Sequence, residues 1–249
     1  MKIFVFTLSL IFSANALAAT GLPMEQLDSK SLERVIKFTG TARDIKTGEL
    51  IYTEHHEIQL DTNNNRISGL VRYINPGSEL IASKSLLYDK TGFFPSFKFT
   101  DLRSEHLINV TLKDKAIDIE LGLPSDLDRE SLKSLKNKVM IADAGFDVFM
   151  LKNWTDLIAG NRRVVEFLAP TRAMFVTFYI ERTFINDSRV GFILAPDSFL
   201  IGLLVDPIML EYDRETGRIL SYKGLTNLEK VDGKKPTGDN YLAEITYQY

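Results

Sequence analysis

Short segments that alternate apolar and polar residues, separated by turn residues, run through most of this chain. Residues 36–42 alternate in this way, which is typical of a half-buried strand. Turn residues such as glycine, asparagine and proline follow at 44–48, 63–65 and 75–77. Strands at this spacing favour an antiparallel sandwich or barrel over β-α-β units. The sequence therefore predicts a mainly β fold with an α insertion: an antiparallel curved sheet or unclosed β-barrel with one or two helices packed on its apolar face.

The middle of the chain interrupts the strand pattern with two predicted helices. Ser125 can cap a helix over residues 126–138, and Asp143 can cap a second helix over residues 143–159. Apolar residues recur every three or four positions along the second helix and form one wide stripe. Because such a stripe has to be buried, we expect a helical insertion at about residues 125–160 that packs on the apolar face of the sheet.

Residues 1–18 have the three parts of a secretory signal peptide. Lys2 gives a basic start, residues 3–12 are apolar, and residues 16–18 form a small-x-small cleavage site. The chain contains no cysteine, which excludes disulfides, thiolate nucleophiles, sulfur-ligated metals and the lipid of a bacterial lipoprotein. We therefore expect the signal peptide to direct export to a bacterial periplasm, where residues 19–249 form a single β-rich domain.

Charge and motifs exclude several classes of function. The chain has 30 lysines and arginines against 33 acidic residues, a formal net charge of −3, and no basic stripe. A protein that holds phosphate backbones usually carries such a stripe, so we expect no nucleic-acid partner. The sequence also lacks the Gly-x-Ser-x-Gly nucleophile elbow, the phosphate loop and the dinucleotide fingerprint. We predict no cofactor and no bound metal.

Glu54 and His56 form the most suggestive polar pattern. They lie two residues apart in a predicted strand, so they share a face with Tyr52 and Ile58. A metalloprotease signature needs two histidines one helical turn apart, which is not the spacing of His55 and His56. A carboxylate beside an imidazole on an apolar face is a proton-transfer pair, half of a metal site or a hydrogen-bonded structural pair. An enzyme that uses Glu54 and His56 therefore stays an alternative to a non-catalytic protein.

The most apolar stretch of the mature chain is residues 190–210. Proline and aspartate interrupt it at 196–197 and 206–207, so it does not span a bilayer as a helix. It is either a buried strand or part of the lining of a hydrophobic ligand site, to which the stripe of the second predicted helix would also contribute. The candidate ligand-binding residues on these two segments are Phe149, Trp154, Phe192, Phe199 and Leu203.

The last predicted strand, residues 241–249, alternates up to an aromatic residue, Tyr249. Outer-membrane barrels often end in this way, but their strands hold about ten residues each and alternate apolar-out throughout. The predicted helices and the interrupted apolar stretch agree poorly with that architecture. A small outer-membrane β-barrel is therefore an alternative to a protein of the periplasm itself.

Three segments carry a resemblance to known proteins. They are a strand with Tyr52-x-Glu54-x-His56, a helix at Asp143-Ala144-Gly145-Phe146-Asp147, and a hairpin with Tyr212-Asp213-x-x-Thr216-Gly217. This order resembles a group of uncharacterised exported bacterial proteins whose architecture is similar to the periplasmic lipoprotein-carrier family, an unclosed barrel that holds acyl chains without catalysis. The resemblance implies a non-catalytic protein that binds a hydrophobic or amphiphilic ligand, such as a lipid or lipid-modified partner, with transient membrane or lipoprotein contact. It supplies no catalytic residues.

Overall fold

In the computed structural model, residues 34–198 and 206–249 are described, and almost all of their secondary structure belongs to one sheet, antiparallel except for its last pair of strands. The strands are β1 (Arg34–Asp44), β2 (Leu50–Leu60), β3 (Arg66–Ile74), β4 (Leu80–Leu87), β5 (Ser96–Asp101), β6 (Leu107–Leu112), β7 (Ala116–Leu123), β8 (Asp126–Lys133), β9 (Met140–Ile141), β10 (Arg163–Ala169), β11 (Met174–Ile185), β12 (Arg189–Pro196), β13 (Ile208–Asp213), β14 (Ile219–Asp232) and β15 (Lys235–Gln248). The helices are α1 (Gly145–Lys152) and α2 (Trp154–Ile158), and Pro170–Arg172 forms one 3-10 turn. The prediction of a mainly β, curved and unclosed sheet with helices is confirmed.

The strand order places the two ends of the described chain in the middle of the sheet. The order runs from β8 down to β1 and continues from β15 down to β9. β1 and β15 are antiparallel, with Thr39 opposite Gln248 and Asp44 opposite Ala243. The two free edges, β8 and β9, follow one another in the chain and are joined by residues 134–139. The opening of the barrel therefore lies in mid-chain.

Side chains and backbone close part of this opening. The 3-10 turn after β10 lies against β6 and β7, which belong to the other end of the sheet. The rings of Phe94 and Phe175 pack with their centroids 6.3 Å apart, and the Ala142 amide donates to the Phe93 carbonyl at 3.1 Å. β9 and β10 are parallel, and α1 and α2 supply the crossover that parallel strands require. The sheet thus rolls into a barrel without a closed hydrogen-bond ladder.

The interior contains two apolar clusters. The first is built mainly from β1 to β7 and β15, with Tyr52 and Ile117 among its fully buried members. The second packs the apolar stripe of α1 and α2 against β10 to β13. The helix predicted over 143–159 corresponds to these two helices, with a break at Asn153. No helix within the described ranges could cross a membrane.

The prediction of a helix over residues 126–138 is wrong, because Asp126–Lys133 forms the edge strand β8. Residues 124–125 form a tight hairpin loop, and Gly122 has a φ of 127°, a conformation that residues with a Cβ rarely adopt. β8 pairs along the whole of β7, and this pairing outweighs the helix preference of its leucine, arginine and glutamate residues. The helical part of the insertion is therefore confined to residues 145–158.

Gly145, the first residue of α1, permits a close approach between this helix and the chain before β5. A Cβ at this position would lie 2.0 Å from the Phe93 carbonyl oxygen and 2.7 Å from Pro95 Cδ. Because a backbone carbonyl cannot move aside cheaply, we expect Gly145→Ala to lower the free energy of unfolding by about 1–3 kcal/mol, measured by urea denaturation.

Gly77→Ala is the matched control for this prediction. The atoms nearest to its Cβ would be those of the Asn75 side chain, with Oδ1 at 3.3 Å, in an exposed turn. We expect its effect to stay within about 0.5 kcal/mol. Equal losses for the two variants would show that close packing at Gly145 is unimportant.

Candidate functional site

A cavity of about 450 Å³ lies inside the barrel. Its size is within the range of about 300–1,000 Å³ that is common for small-molecule sites. The apolar part of its wall comes from several strands and includes Val71, Leu86, Phe97, Phe99, Leu210 and Ile245. The strand alternation that builds the sheet turns these side chains inward, because successive residues of a strand point to opposite faces.

Glu54 and His56 lie together on the cavity side of β2. His56 Nε2 is 2.8 Å from Glu54 Oε2, and the Tyr247 hydroxyl donates to the same oxygen at 3.4 Å. Glu54 is 6% exposed. The His56 ring stacks on Phe38 with centroids 4.3 Å apart and an interplanar angle of 9°. The carboxylate is therefore held in a largely aromatic environment.

The negative charge of Glu54 acts on four buried or half-buried tyrosines. Burial raises the pKa of Tyr52, Tyr73, Tyr222 and Tyr247, and the negative charge of Glu54 raises each of these pKa values further. All of them except Tyr52 line the cavity. All four phenols are therefore neutral at physiological pH, and three of them contribute aromatic rings and hydroxyl groups to the cavity wall.

Two ion pairs connect the cavity wall to the start of α1. Lys84 Nζ lies 2.8 Å and 2.7 Å from the two carboxylate oxygens of Asp143, and Arg66 pairs with Asp147. Asp143 has a φ of 44° and does not cap the helix through its side chain, contrary to the sequence prediction; Ala144 occupies the N-cap position. The carboxylate anchors α1 to β4 instead.

The charges facing the cavity are mainly negative. The described lining residues include five carboxylates, namely Glu54, Asp101, Asp143, Asp147 and Glu229, but only two lysine or arginine side chains, Lys84 and Arg66. Asp101 is paired with Arg103 at 2.6 Å, outside the lining. Glu54 contacts an imidazole and a phenol, and Glu229 accepts from the Gly238 amide. Carboxylates therefore remain in excess after the ion pairs are counted.

The described residues among those predicted to bind a ligand do not lie in this cavity. Phe149, Trp154 and Phe192 lie together in the second apolar cluster, and the described part of the cavity lining contains none of them. Tyr212 belongs to both regions, since its ring packs 5.7 Å from Trp154 and it also lines the cavity. Phe199 and Leu203 lie outside the described residues. As ligand contacts, all five remain predictions.

Sequence reasoning missed Lys84, Arg66 and the tyrosines of β3, β14 and β15. One signal was present for Lys84: it stands between Ala82 and Leu86 on the inward face of β4, where a lysine has to find a partner. Its partner Asp143 lies 59 residues further along the chain, so the pair itself has no local signature. Within the described ranges, no group of three or more histidine, aspartate or glutamate residues could hold a metal ion.

Together, fold and cavity define a β-barrel-like protein with an apolar interior that contains buried polar groups. The sequence matches no protein-family model and no curated protein. Among solved structures, the chain is similar to a β-barrel-like protein of the domain of unknown function DUF1849 from Brucella abortus. The two are 10% identical, with 88% of this chain and 95% of that chain covered and a TM-score of 0.49. At these values nothing about function follows, and the resemblance to lipoprotein carriers stays a prediction.

Proposed function

We propose that this protein is an exported, non-catalytic binding protein that holds a hydrophobic or amphiphilic molecule in its cavity, either a lipid or the lipid of a modified partner. The observation that supports this most directly is the combination of an extensive apolar wall with a few buried polar groups in one cavity. Burial of apolar surface would provide most of the binding energy, and the polar groups would fix the orientation of the ligand.

Native mass spectrometry of protein purified from its own periplasm, followed by lipid extraction, tests this proposal. We expect a co-purifying amphiphile. Leu225→Asn should reduce its occupancy, because Leu225 is 51% exposed yet lines the cavity, so a neutral polar group at its rim costs little stability. Leu80→Asn is the control, since Leu80 is similarly exposed and is not part of the described lining. Empty protein that also binds no hydrophobic dye would refute the proposal.

Export and a location in the periplasm are part of the same proposal. Cell fractionation with a sodium carbonate wash tests them, because carbonate releases peripheral and soluble proteins and leaves integral barrels in the membrane fraction. We expect release into the supernatant. Retention would favour the alternative of a small outer-membrane barrel.

An enzyme that uses Glu54 and His56 is the second candidate, favoured by their 2.8 Å contact inside the cavity. An imidazole oriented by a carboxylate is a common general base. If the protein is an enzyme, the molecule that it captures should be chemically altered after incubation, and His56→Ala should abolish the change with little effect on the melting temperature. Unaltered ligand in both proteins would favour binding alone.

A further inference from the structure

Glu54 differs from the other buried acids of the cavity in its partners. Asp143 and Asp147 are neutralised by Lys84 and Arg66. The Glu54 side chain is at least as buried as either of them, yet its described contacts include no lysine or arginine. It hydrogen-bonds with His56 and Tyr247, and His56 supplies a countercharge only when it is protonated. Burying a carboxylate is costly unless a charge compensates for it. A cation that approached from the cavity would recover part of this cost.

The surroundings of Glu54 suit an organic cation better than a metal ion. Phe38, Tyr73, Tyr222 and Tyr247 line the cavity together with the carboxylate. Aromatic faces attract ammonium groups through their quadrupole, and several rings around an anionic group form the cages that bind quaternary ammonium ligands. Hard metal ions require several oxygen ligands, whereas the described contacts of the Glu54 carboxylate are one imidazole and one phenol.

The remaining charges of the cavity disfavour an anionic head group. Lys84 uses both oxygens of Asp143, and Arg66 is bound to Asp147, so both lining cations already have carboxylate partners. An incoming carboxylate or phosphate would have to displace one of these partners. It would also meet the carboxylates that remain in excess, and like charges at short range in a low-dielectric site repel strongly.

We infer that the cavity is selective for amphiphiles with a cationic head, an alkylammonium or quaternary ammonium group, which binds to the Glu54 carboxylate among Phe38, Tyr73, Tyr222 and Tyr247. This inference rests on the proposed binding function and specifies the chemical class of the ligand. The hydrocarbon part then occupies the apolar wall formed by residues such as Val71, Leu86 and Phe97.

Three single-chain amphiphiles with the same dodecyl tail and different heads test the inference: dodecyltrimethylammonium, dodecyl sulfate and dodecyl maltoside, each below its micelle concentration. Their dissociation constants are measured by displacement of a hydrophobic dye from the full mature protein. We expect the cationic amphiphile to bind at least about tenfold more tightly than the anionic one. Equal affinities of the wild-type protein for the cationic and anionic amphiphiles, or a preference for dodecyl sulfate, would by themselves overturn the inference.

Glu54→Gln removes the charge while keeping the shape of the side chain. We expect it to weaken binding of dodecyltrimethylammonium about tenfold and to change that of dodecyl maltoside less than about twofold. Glu57→Gln is the control, because Glu57 lies on the outer face of the same strand and pairs with Arg72 and Lys37. Equal losses for both heads in Glu54→Gln would contradict the assigned role. If no amphiphile binds to the wild type, the proposed function fails as well, whereas unselective binding refutes only the cationic preference.

Discussion

Raising the pH above 10 should destabilise this protein far more steeply than the titration of surface groups can explain. Burial raises the pKa of Tyr52, Tyr73 and Tyr212 well above the ordinary value of 10, and these residues are only 1%, 3% and 0% exposed. In the unfolded chain the same phenols ionise near pH 10, so above this pH the unfolded state binds fewer protons than the folded state. The stability contributed by the neutral phenols is intact below pH 10 and is lost as the pH rises towards their folded pKa values.

The expected slope follows from proton linkage. Each such tyrosine costs about 1.4 kcal/mol of unfolding free energy per pH unit above its unfolded pKa, so three of them cost about 4 kcal/mol per unit. Tyr222 and Tyr247, which are half-buried and face the cavity, add a smaller share. Urea denaturation at a series of alkaline pH values measures the slope directly.

Two further observations make the alkaline prediction specific. The tyrosinate absorbance of the buried phenols should rise together with the loss of β-sheet circular dichroism, because these groups ionise only on unfolding. Tyr73→Phe should reduce the pH slope by about 1.4 kcal/mol per unit. Ionisation of all 9 tyrosines while the sheet remains intact would disprove the linkage.

Lys84→Met is expected to be among the most damaging single substitutions in this chain. Lys84 is 5% exposed and contacts both oxygens of Asp143, itself held by the Ala144 amide and by Asn227. Without the lysine, a buried carboxylate has no countercharge, and breaking a buried pair in this way typically costs about 3–5 kcal/mol. Chemical denaturation of the variant and the wild type measures the loss.

A second substitution separates the charge from the packing. Asp143→Asn keeps the shape of the side chain and tolerates the left-handed backbone at φ 44°, since asparagine adopts this region readily. We therefore expect the double variant Lys84→Met, Asp143→Asn to be more stable than Lys84→Met alone. Lys113→Met is the control, because its pair with Asp118 is exposed and should contribute less than about 1 kcal/mol. If the double variant is as unstable as Lys84→Met, the loss of unfolding free energy comes from packing and not from the unpaired charge.

The strands were predictable where the deciding interactions are local. At the first hairpin, Asp44 Oδ1 accepts from the amides of Lys46 and Thr47, and Gly48 has a φ of 73°. These interactions span five residues, so the sequence shows them directly. β8 was missed because its polar composition suits a helix, and only its pairing with the preceding strand decides otherwise.

The candidate site was predictable only where it lies within one strand. Glu54 and His56 are two residues apart, so alternation alone places them on one face. Lys84 and Asp143 meet because the sheet curves and α1 returns across it, which no short sequence pattern encodes. The sequence pattern of the helices correctly indicated an apolar stripe that has to be buried. Such a pattern does not show whether the stripe lines a cavity or packs against other side chains. In this chain its residues Phe149 and Trp154 pack into the second apolar cluster.

The pairing of β1 with β15 determines when the sheet can be completed during synthesis of the chain. Of the described strands, β1 is synthesised first and has one neighbour, β2, at once, whereas its other neighbour, β15, is synthesised after all the rest. Until then, β1 presents a row of unsatisfied amides and carbonyls, the kind of edge that recruits strands from other chains. Such long-range pairing also slows folding. The N-terminal half therefore depends on protection from aggregation for as long as the C-terminal strand is delayed.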